Sequence, residues 1–119
     1  MAERRRLVIL NALPLNSIPL THFCVDVKRI DTDFLRHLAK EAKSINAEIA
    51  NYIRHEATVK LLNQLLNLSL EPSSGLYQWR EGDRIVVITL KKPIRGQEVS
   101  EVKPEDLDIF HVYVSEVCY

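Results

Sequence analysis

Four histidines are the residues of this sequence best suited to acid–base chemistry, and His55 stands where a phosphate is favoured. Apolar residues recur at helical spacing over residues 51–66, so His55 lies near the start of the longest predicted helix. A helix N-terminus offers free N–H groups and partial positive charge to an anion. From position alone, however, packing beside Val59 and Leu62 is the favoured role. The other histidines fit structural or solvated positions: His22, His37 and His111.

A polar segment over residues 91–105 supplies further candidates. It follows a predicted central strand and contains two prolines and a glycine, as expected of a long loop. Lys91, Lys92 and Arg95 are cations that could stabilise a phosphate, with arginine favoured for a bidentate grip. Glu98 could orient a histidine or a nucleophile. On the residue types alone a solvated loop is preferred, and no P-loop, G-x-G-x-x-G, H-E-x-x-H or nucleophile-elbow motif is present.

The elements that must position these residues predict an α/β sandwich with a mixed, roughly five-stranded sheet. A helix with N-cap candidates at Asp31 to Asp33 should end near Ser44, before the longer helix. Glu81-Gly82-Asp83 joins two apolar segments and indicates a β-hairpin, with glycine available for positive φ. The predicted strands cover residues 7–10, 23–28, 76–79, 84–90 and 110–115.

The longer predicted helix carries two apolar stripes, which indicates burial on two sides. One stripe suits the sheet. The other needs a second element, so the sequence predicts a homodimer whose interface includes Val59, Leu62 and Leu66.

Composition limits the function classes. The 119 residues are 46% hydrophobic and carry 16 Lys+Arg against 16 Asp+Glu, which predicts a single domain over 1–119 that does not bind long nucleic acid. Residues 1–6 are expected to form a flexible basic N-terminus. Without a long apolar run or secretory signal, we expect no membrane partner and a cytoplasmic location. Cys24 and Cys118 are expected to be free thiols, and no metal or cofactor is suggested.

Three segments in this order resemble a known family. They are Asn11-Ala12 with Asn16 after the first strand, Tyr52 to Leu66 with Ile53-Arg54-His55-Glu56-Ala57-Thr58, and Glu81 to Lys91. The chain resembles, over residues 7–114, the ring nucleases known from archaeal viruses as type III anti-CRISPR proteins, which also have cellular relatives. The resemblance implies a homodimer that binds cyclic tetra-adenylate. It also implies metal-independent cleavage to linear di-adenylates ending in a 2′,3′-cyclic phosphate.

Carried over by residue, the resemblance implies that His55 is catalytic and that Asn11 and Asn16 hold the ligand. The family also has an arginine and a glutamate three residues apart after the central strand. Arg95 and Glu98 restore that spacing if the loop contains a two-residue insertion. An ungapped alignment instead places Pro93 and Gly96 there, which leaves Lys91 or Lys92 to contact the phosphate and provides no catalytic carboxylate.

The chain departs from the family pattern elsewhere. Ser73-Ser74-Gly75 stands where relatives carry a ligand-binding Asn-Arg pair, Arg54 replaces the usual glycine, and Pro14 replaces a serine. Copies of Arg54 and of the loop cations around a two-fold axis would form a basic cradle. The leading hypothesis is therefore a ring nuclease. The alternatives are a protein of the same fold that sequesters a cyclic nucleotide without efficient cleavage, and a non-catalytic dimeric interaction protein.

Overall fold

The computed structural model describes residues 5–91 and 102–118. Its strands and helices follow in the order β1 (Arg6–Leu10), β2 (Cys24–Ile30), α1 (Thr32–Ser44), β3 (Glu48–Asn51), α2 (Glu56–Leu66), β4 (Arg84–Leu90) and β5 (Leu107–Ser115). Short 3₁₀ turns lie at Leu15–Ser17 and Pro104–Asp106.

The strands form one mixed sheet in the order β2-β5-β4-β1-β3. Strand β1 is parallel to both β3 and β4, whereas β5 is antiparallel to β4 and β2. Strands β1 to β4 therefore run in the same direction, and their carboxyl ends share one side of the sheet, which we call the carboxyl edge. The predicted mixed, five-stranded α/β fold is confirmed.

Different layers cover the two faces of the sheet. Both helices pack on the face that carries Leu7 and Ile9, where the larger core lies. Val8 and Leu10 point to the opposite face, which irregular segments over residues 11–23 and 72–83 cover. The alternation of the two sets follows from the two-residue period of a strand, and β1 is fully buried because it is covered on both sides.

Helix α1 begins as its sequence predicts. The Asp31 side chain accepts a hydrogen bond from the backbone N–H of Phe34 at 2.8 Å, so Asp31 is the N-cap. The helix ends at Ser44, and its buried residues share one face: Leu35, Leu38, Ala39 and Ala42.

Two predicted boundaries are wrong. Residues 48–51 form strand β3 beside β1, and helix α2 starts only at Glu56. Residues 76–79 form no strand, so the predicted hairpin is absent from the described structure. Its turn is nevertheless present: the Asp83 N–H donates to the Arg80 carbonyl at 3.1 Å, and Gly82 adopts φ +89°. The fifth strand of the sheet is therefore β3 rather than the first arm of a hairpin.

The buried ion pair between Arg6 and Asp83 joins β1 to the turn before β4. Arg6 donates to the two Asp83 oxygens through Nε at 2.9 Å and Nη2 at 2.6 Å. The Tyr77 hydroxyl, at 2.5 Å, and the Arg80 N–H, at 3.0 Å, donate to the same carboxylate. The hydrogen bond to Asp83 raises the pKa of Arg6. The pKa of Tyr77 is raised mainly by burial and then by the hydrogen bond to Asp83. Arg6 is thus a buried residue of β1, and its expected place in a flexible N-terminus is wrong.

The cysteine prediction is also wrong, because Cys24 and Cys118 form a disulfide with a Cα–Cα distance of 5.6 Å. They are 94 residues apart in sequence, but antiparallel pairing places Cys24 opposite Ser115, only three residues before Cys118. Sheet pairing, rather than sequence spacing, brings the two sulfurs together.

The predicted dimer interface on α2 is not available. Val59, Leu62 and Leu66 are buried within the single chain, at 2%, 0% and 5% exposure. Helix α1 covers the second side of α2: the Arg36 Nε donates to the Leu65 carbonyl at 3.2 Å, and the Lys43 Nζ donates to the Leu66 carbonyl at 3.1 Å. The second apolar stripe has its partner in α1.

Candidate functional site

The carboxyl edge gathers three segments that the sequence marks as functional. Asn11 directly follows β1, Arg54 and His55 follow β3, and Lys91 follows β4. Strands β3 and β4 are the two neighbours of β1. Because adjacent strands lie about 5 Å apart, these three neighbouring strands span about 10 Å across the sheet. Ligands of open α/β sheets commonly bind outside the carboxyl ends of the strands.

The edge is stepped rather than level. Leu10 pairs with Val87, so β4 continues for three more residues beyond the end of β1. At about 3.3 Å per residue, Lys91 stands about 10 Å further along the strand direction than Asn11. The end of β4 therefore forms a wall beside the shorter β1 and β3.

Asn51 fixes the path of the chain between β3 and α2. Its Oδ1 accepts from the Ile53 N–H at 3.1 Å, and its Nδ2 donates to the Ile53 carbonyl at 3.1 Å and the Glu71 carbonyl at 2.8 Å. The Tyr52 N–H donates to the Ile9 carbonyl at 2.9 Å, while the Ile53 side chain is 1% exposed. The backbone that carries Arg54 and His55 is thus anchored on both sides.

His55 is the N-cap residue of α2, at the phosphate-favouring position predicted from the sequence. Its side chain does not cap the helix; instead, its Nδ1 lies 2.7 Å from Oγ1 of Thr58. Thr58 is 4% exposed and therefore held by packing, so it fixes the orientation of the half-buried imidazole. Within residues 5–91 and 102–118, Nε2 makes no hydrogen bond. One ring nitrogen is oriented and the other remains available to a ligand.

Arg54 and Lys91 supply positive charge at this edge. Both are exposed, and neither belongs to an ion pair in the described part of the chain. Both are ligand-binding candidates from the sequence, and the fold places them after β3 and β4, the two strands that flank β1.

Asn11 and Asn16 are both exposed on the segment after β1. Asn16 lies in the 3₁₀ turn Leu15–Ser17, which is closed by the Ser17 N–H donating to the Pro14 carbonyl at 3.0 Å. Ser17 is buried, and its carbonyl accepts from the Trp79 N–H at 3.0 Å. The turn therefore presents Asn16 to solvent from an anchored base.

Ser73-Ser74-Gly75, where the family pattern has an Asn-Arg pair, lies against the segment that carries His55. The Ser73 N–H donates to the Ile53 carbonyl at 2.9 Å, and the Gly75 N–H donates to the Ser73 hydroxyl at 3.2 Å. This position adjoins the site, but its short side chains reach less far than arginine.

Tyr77 and Trp79 are aromatic residues of the segment before β4, and an aromatic ring can stack on a nucleic-acid base. Tyr77 is 5% exposed and its hydroxyl is bonded to Asp83, so its role is structural. Trp79 is half-buried against the core on the non-helical face.

Three predicted site residues, Lys92, Arg95 and Glu98, lie outside the described residues. The choice between the two loop alignments therefore stays a prediction.

Thr58 and Asn51 are residues whose roles sequence reasoning missed. Thr58 belongs to the segment that carries the resemblance, but only the helix geometry shows that the third residue after His55 faces its ring. Asn51 was placed inside the helix, although asparagine commonly bonds to the backbone two residues on, at turns.

Two open clefts lie along the helices, and the one along α2 begins at Glu56, directly after His55. One, of about 540 Å³, follows α2 and Leu70; the other, of about 670 Å³, separates α1 from β2 and β5. Among the described residues, no predicted site residue lines either cleft. The second contains His111, whose pKa is lowered by burial and also by Arg84 and Lys28.

Within residues 5–91 and 102–118, no cluster of three His, Cys, Asp or Glu side chains is arranged to hold a metal ion. The helices of that same part of the chain are too short or too polar to span a bilayer.

The sheet order, the two helices on one face and the carboxyl-edge segments define a small α/β protein with a candidate anion site. The model of the STIV B116-like family matches residues 7–114, and the chain belongs to this family. The solved structure of B116 of Sulfolobus turreted icosahedral virus (STIV) is similar in fold, with a TM-score of 0.72 and 16% sequence identity, over 91% of this chain and 98% of that chain. No curated protein matches the sequence significantly.

Proposed function

We propose that this protein is a homodimeric ring nuclease that binds cyclic tetra-adenylate and cleaves it without a metal ion to linear di-adenylate with a 2′,3′-cyclic phosphate. Cleavage of this messenger would switch off type III CRISPR signalling. The resemblance of the Ile53 to Thr58 segment brings this activity to the chain, and membership of a family named after a viral protein is consistent with it.

The geometry of His55 is the observation that carries the proposal. Its Nδ1 is held by buried Thr58, and no side chain of the described residues caps the first-turn N–H groups of α2. A phosphate at this helix end would accept from those N–H groups and lie beside Nε2. The N-terminus of α2 therefore combines an oriented His55 side chain with backbone groups that could bind a phosphate.

The reaction needs few protein groups. The ribose 2′-oxygen attacks phosphorus and gives its proton to solvent water, the bond to the 5′-oxygen breaks, and the 5′-oxygen receives a proton. In our proposal His55 donates that proton from Nε2, while Thr58 accepts from Nδ1–H of the cationic ring. Arg54 and Lys91 balance phosphate charge, and Asn11 and Asn16 bind polar groups of the ligand.

The loop residues complete the proposed site. Arg95 would stabilise the phosphate together with Lys92, and Glu98 would orient the histidine or the nucleophile. No added cofactor is required by this scheme.

A two-fold symmetric ring fits a two-fold symmetric dimer, in which each copy supplies one His55. The dimer needs a surface other than the buried stripe on α2. Leu15 and Leu76 are 63% and 92% exposed on the irregular segments that cover the non-helical face, next to Asn16 and to Ser73-Ser74-Gly75. We place the proposed dimer contact there, because it joins an apolar surface to the ligand residues.

The alternative function is binding without efficient cleavage. The observation that favours it is the position of Ser73 against Ile53, where an Asn-Arg pair is replaced by short side chains that make fewer ligand contacts.

Labelled cyclic tetra-adenylate in EDTA tests the proposal. Cleavage supports a metal-independent ring nuclease, and binding without cleavage supports sequestration. If the protein neither binds nor cleaves the ring, a non-catalytic interaction protein is supported. His55→Ala should lose most cleavage and retain binding, whereas His37→Ala, an exposed histidine on α1, should behave as wild type. Near wild-type cleavage by His55→Ala would remove this residue from the mechanism.

The dimer contact has its own test. Leu76→Glu should lower both the mass measured by light scattering and the cleavage rate. A wild-type mass for this variant would place the dimer contact elsewhere.

A further inference from the structure

Strand β2 is an open edge of the sheet. Within residues 5–91 and 102–118 it pairs only with β5, and six of its seven residues are exposed. Two of them are valines, Val25 at 36% and Val27 at 54% exposure. An edge strand with free N–H and C=O groups is a template for another strand, and natural proteins usually protect it with short length, charged side chains, bulges or proline. This strand has seven residues and no proline.

Of the three charged residues on β2, Arg29 pairs with Asp108 on β5, whereas Asp26 and Lys28 make no ion pair in the described part of the chain. Asp26 and Lys28 lie two residues apart and therefore on the same face of the sheet. Their cross-strand neighbours on β5 are Tyr113 and His111, and in the described part of the chain neither charge makes an ion pair.

We propose that β2 pairs antiparallel with β2 of a second copy, about a two-fold axis through Val27, joining two five-stranded sheets into one. In this register Asp26 faces Lys28 of the second copy, and Lys28 faces its Asp26. Val27 faces Val27 of the second copy, and this pair lies on the face of the sheet opposite to the charged pairs. All seven residues pair, which provides about six to eight backbone hydrogen bonds.

The charges select this register against its neighbours. Side-chain alternation allows the axis to move only by whole residues. Moving it to residue 26 places two aspartates opposite each other, and moving it to residue 28 does the same for two lysines. Like charges directly opposite are destabilising, and both shifts shorten the pairing. The sequence of β2 is therefore self-complementary in one register.

This contact is distinct from the dimer that the proposed nuclease needs. A two-fold axis through β2 places the carboxyl ends of the two β1 strands on opposite edges of the joined sheet. They are also seven strand spacings apart, or about 34 Å. One small ring cannot span them, so this pairing is independent of the ligand and of His55.

Charge reversal tests the pairing. Asp26→Lys and Lys28→Asp should each place like charges opposite in the symmetric pair and lower the mass by light scattering to half or less of wild type. Mixing the two variants restores both opposite-charge pairs, so the mixture should regain the wild-type mass as a complex containing both chains. The double variant Asp26→Lys/Lys28→Asp should also regain it.

Controls carry the same charge changes away from β2. Lys40→Asp on α1 and Glu105→Lys on the 3₁₀ turn should keep the wild-type mass, since both residues are exposed outside the paired strand. Circular dichroism identifies any variant that fails to fold, and the mixed and doubly substituted samples then decide the question. Equal masses for wild type and both single variants would overturn the proposal, as would a mixture that does not recover.

Discussion

Asp83 offers the sharpest test of what holds this fold together. Its buried carboxylate accepts from the Arg6 Nε and Nη2, the Tyr77 hydroxyl and the Arg80 N–H. Asp83→Asn keeps the size of the side chain but removes its charge. The new amide group also turns one acceptor into a donor that faces other donors.

The expected loss is large because Arg6 remains charged and buried. The Arg6 and Asp83 side chains are 4% and 2% exposed. Removing one partner of a buried ion pair costs about 3–5 kcal/mol, against a total stability of about 5–15 kcal/mol for a typical domain. The same change at Asp108, whose partner Arg29 is 66% exposed, should cost less than about 1 kcal/mol.

Urea unfolding followed by circular dichroism measures both changes under reversible conditions. With a slope of about 2 kcal/mol per molar, Asp83→Asn should lower the midpoint by about 2 M, and Asp108→Asn by less than about 0.5 M. Removing the buried Arg6 charge that Asp83→Asn leaves without a partner should recover stability, so Arg6→Met/Asp83→Asn should be at least as stable as Asp83→Asn alone. A midpoint for Asp83→Asn that matches Asp108→Asn would refute the reasoning.

Three further predictions follow from the described contacts. Cys24→Ser/Cys118→Ser should lose about 2–4 kcal/mol in urea unfolding, since the disulfide closes a 94-residue separation; two reactive thiols in the unreduced, unfolded chain would contradict the bridge. Because the pKa of His111 is lower in the folded than in the unfolded chain, the unfolded chain takes up a proton at higher pH. The free energy of unfolding should therefore fall as pH drops below about 6.5, and His111→Gln should make this fall smaller. Thr58→Val should slow the proposed cleavage about 3- to 10-fold with little change in binding, and an unchanged rate would show that Thr58 does not orient His55.

The fold was predictable where the pattern was local. The buried run of β1, the Asp31 cap of α1 and the apolar face of α2 all follow from residue types at fixed spacing. Strand β3 was not predictable in this way. It has four residues, and its identity as a strand depends on parallel pairing with β1, which lies about 40 residues earlier in the chain.

The hairpin prediction failed for a related reason. The turn at Gly82 has the geometry that its sequence indicates, but a turn does not determine whether the preceding segment pairs. The position beside β4 is taken by β1 and β5, so residues 76–79 cross the non-helical face instead. Tyr77 then directs its hydroxyl to Asp83 rather than into a ladder.

The position of His55 at a helix start was predictable, but the contacts that hold its side chain and the preceding backbone were not. His55 lies at the N-terminus of α2 as expected, and the resemblance supplied Asn11 and Asn16. The bond from His55 to Thr58 and the bracing by Asn51 depend on where a helix starts, which the sequence pattern placed five residues too early.

Local arrangement, rather than composition, can reconcile a neutral chain with an anionic ligand. The chain has no net charge, yet part of its positive charge is occupied: Arg6 is bound to Asp83, and Arg84 to Glu41 at 3.2 Å. Arg54 and Lys91 remain exposed after the two strands that flank β1. An anion at the carboxyl edge would meet these cations on either side of Asn11 while the paired charges stay elsewhere. Arg54→Ala and Lys91→Ala should therefore weaken binding of cyclic tetra-adenylate, whereas Lys40→Ala on α1 should not.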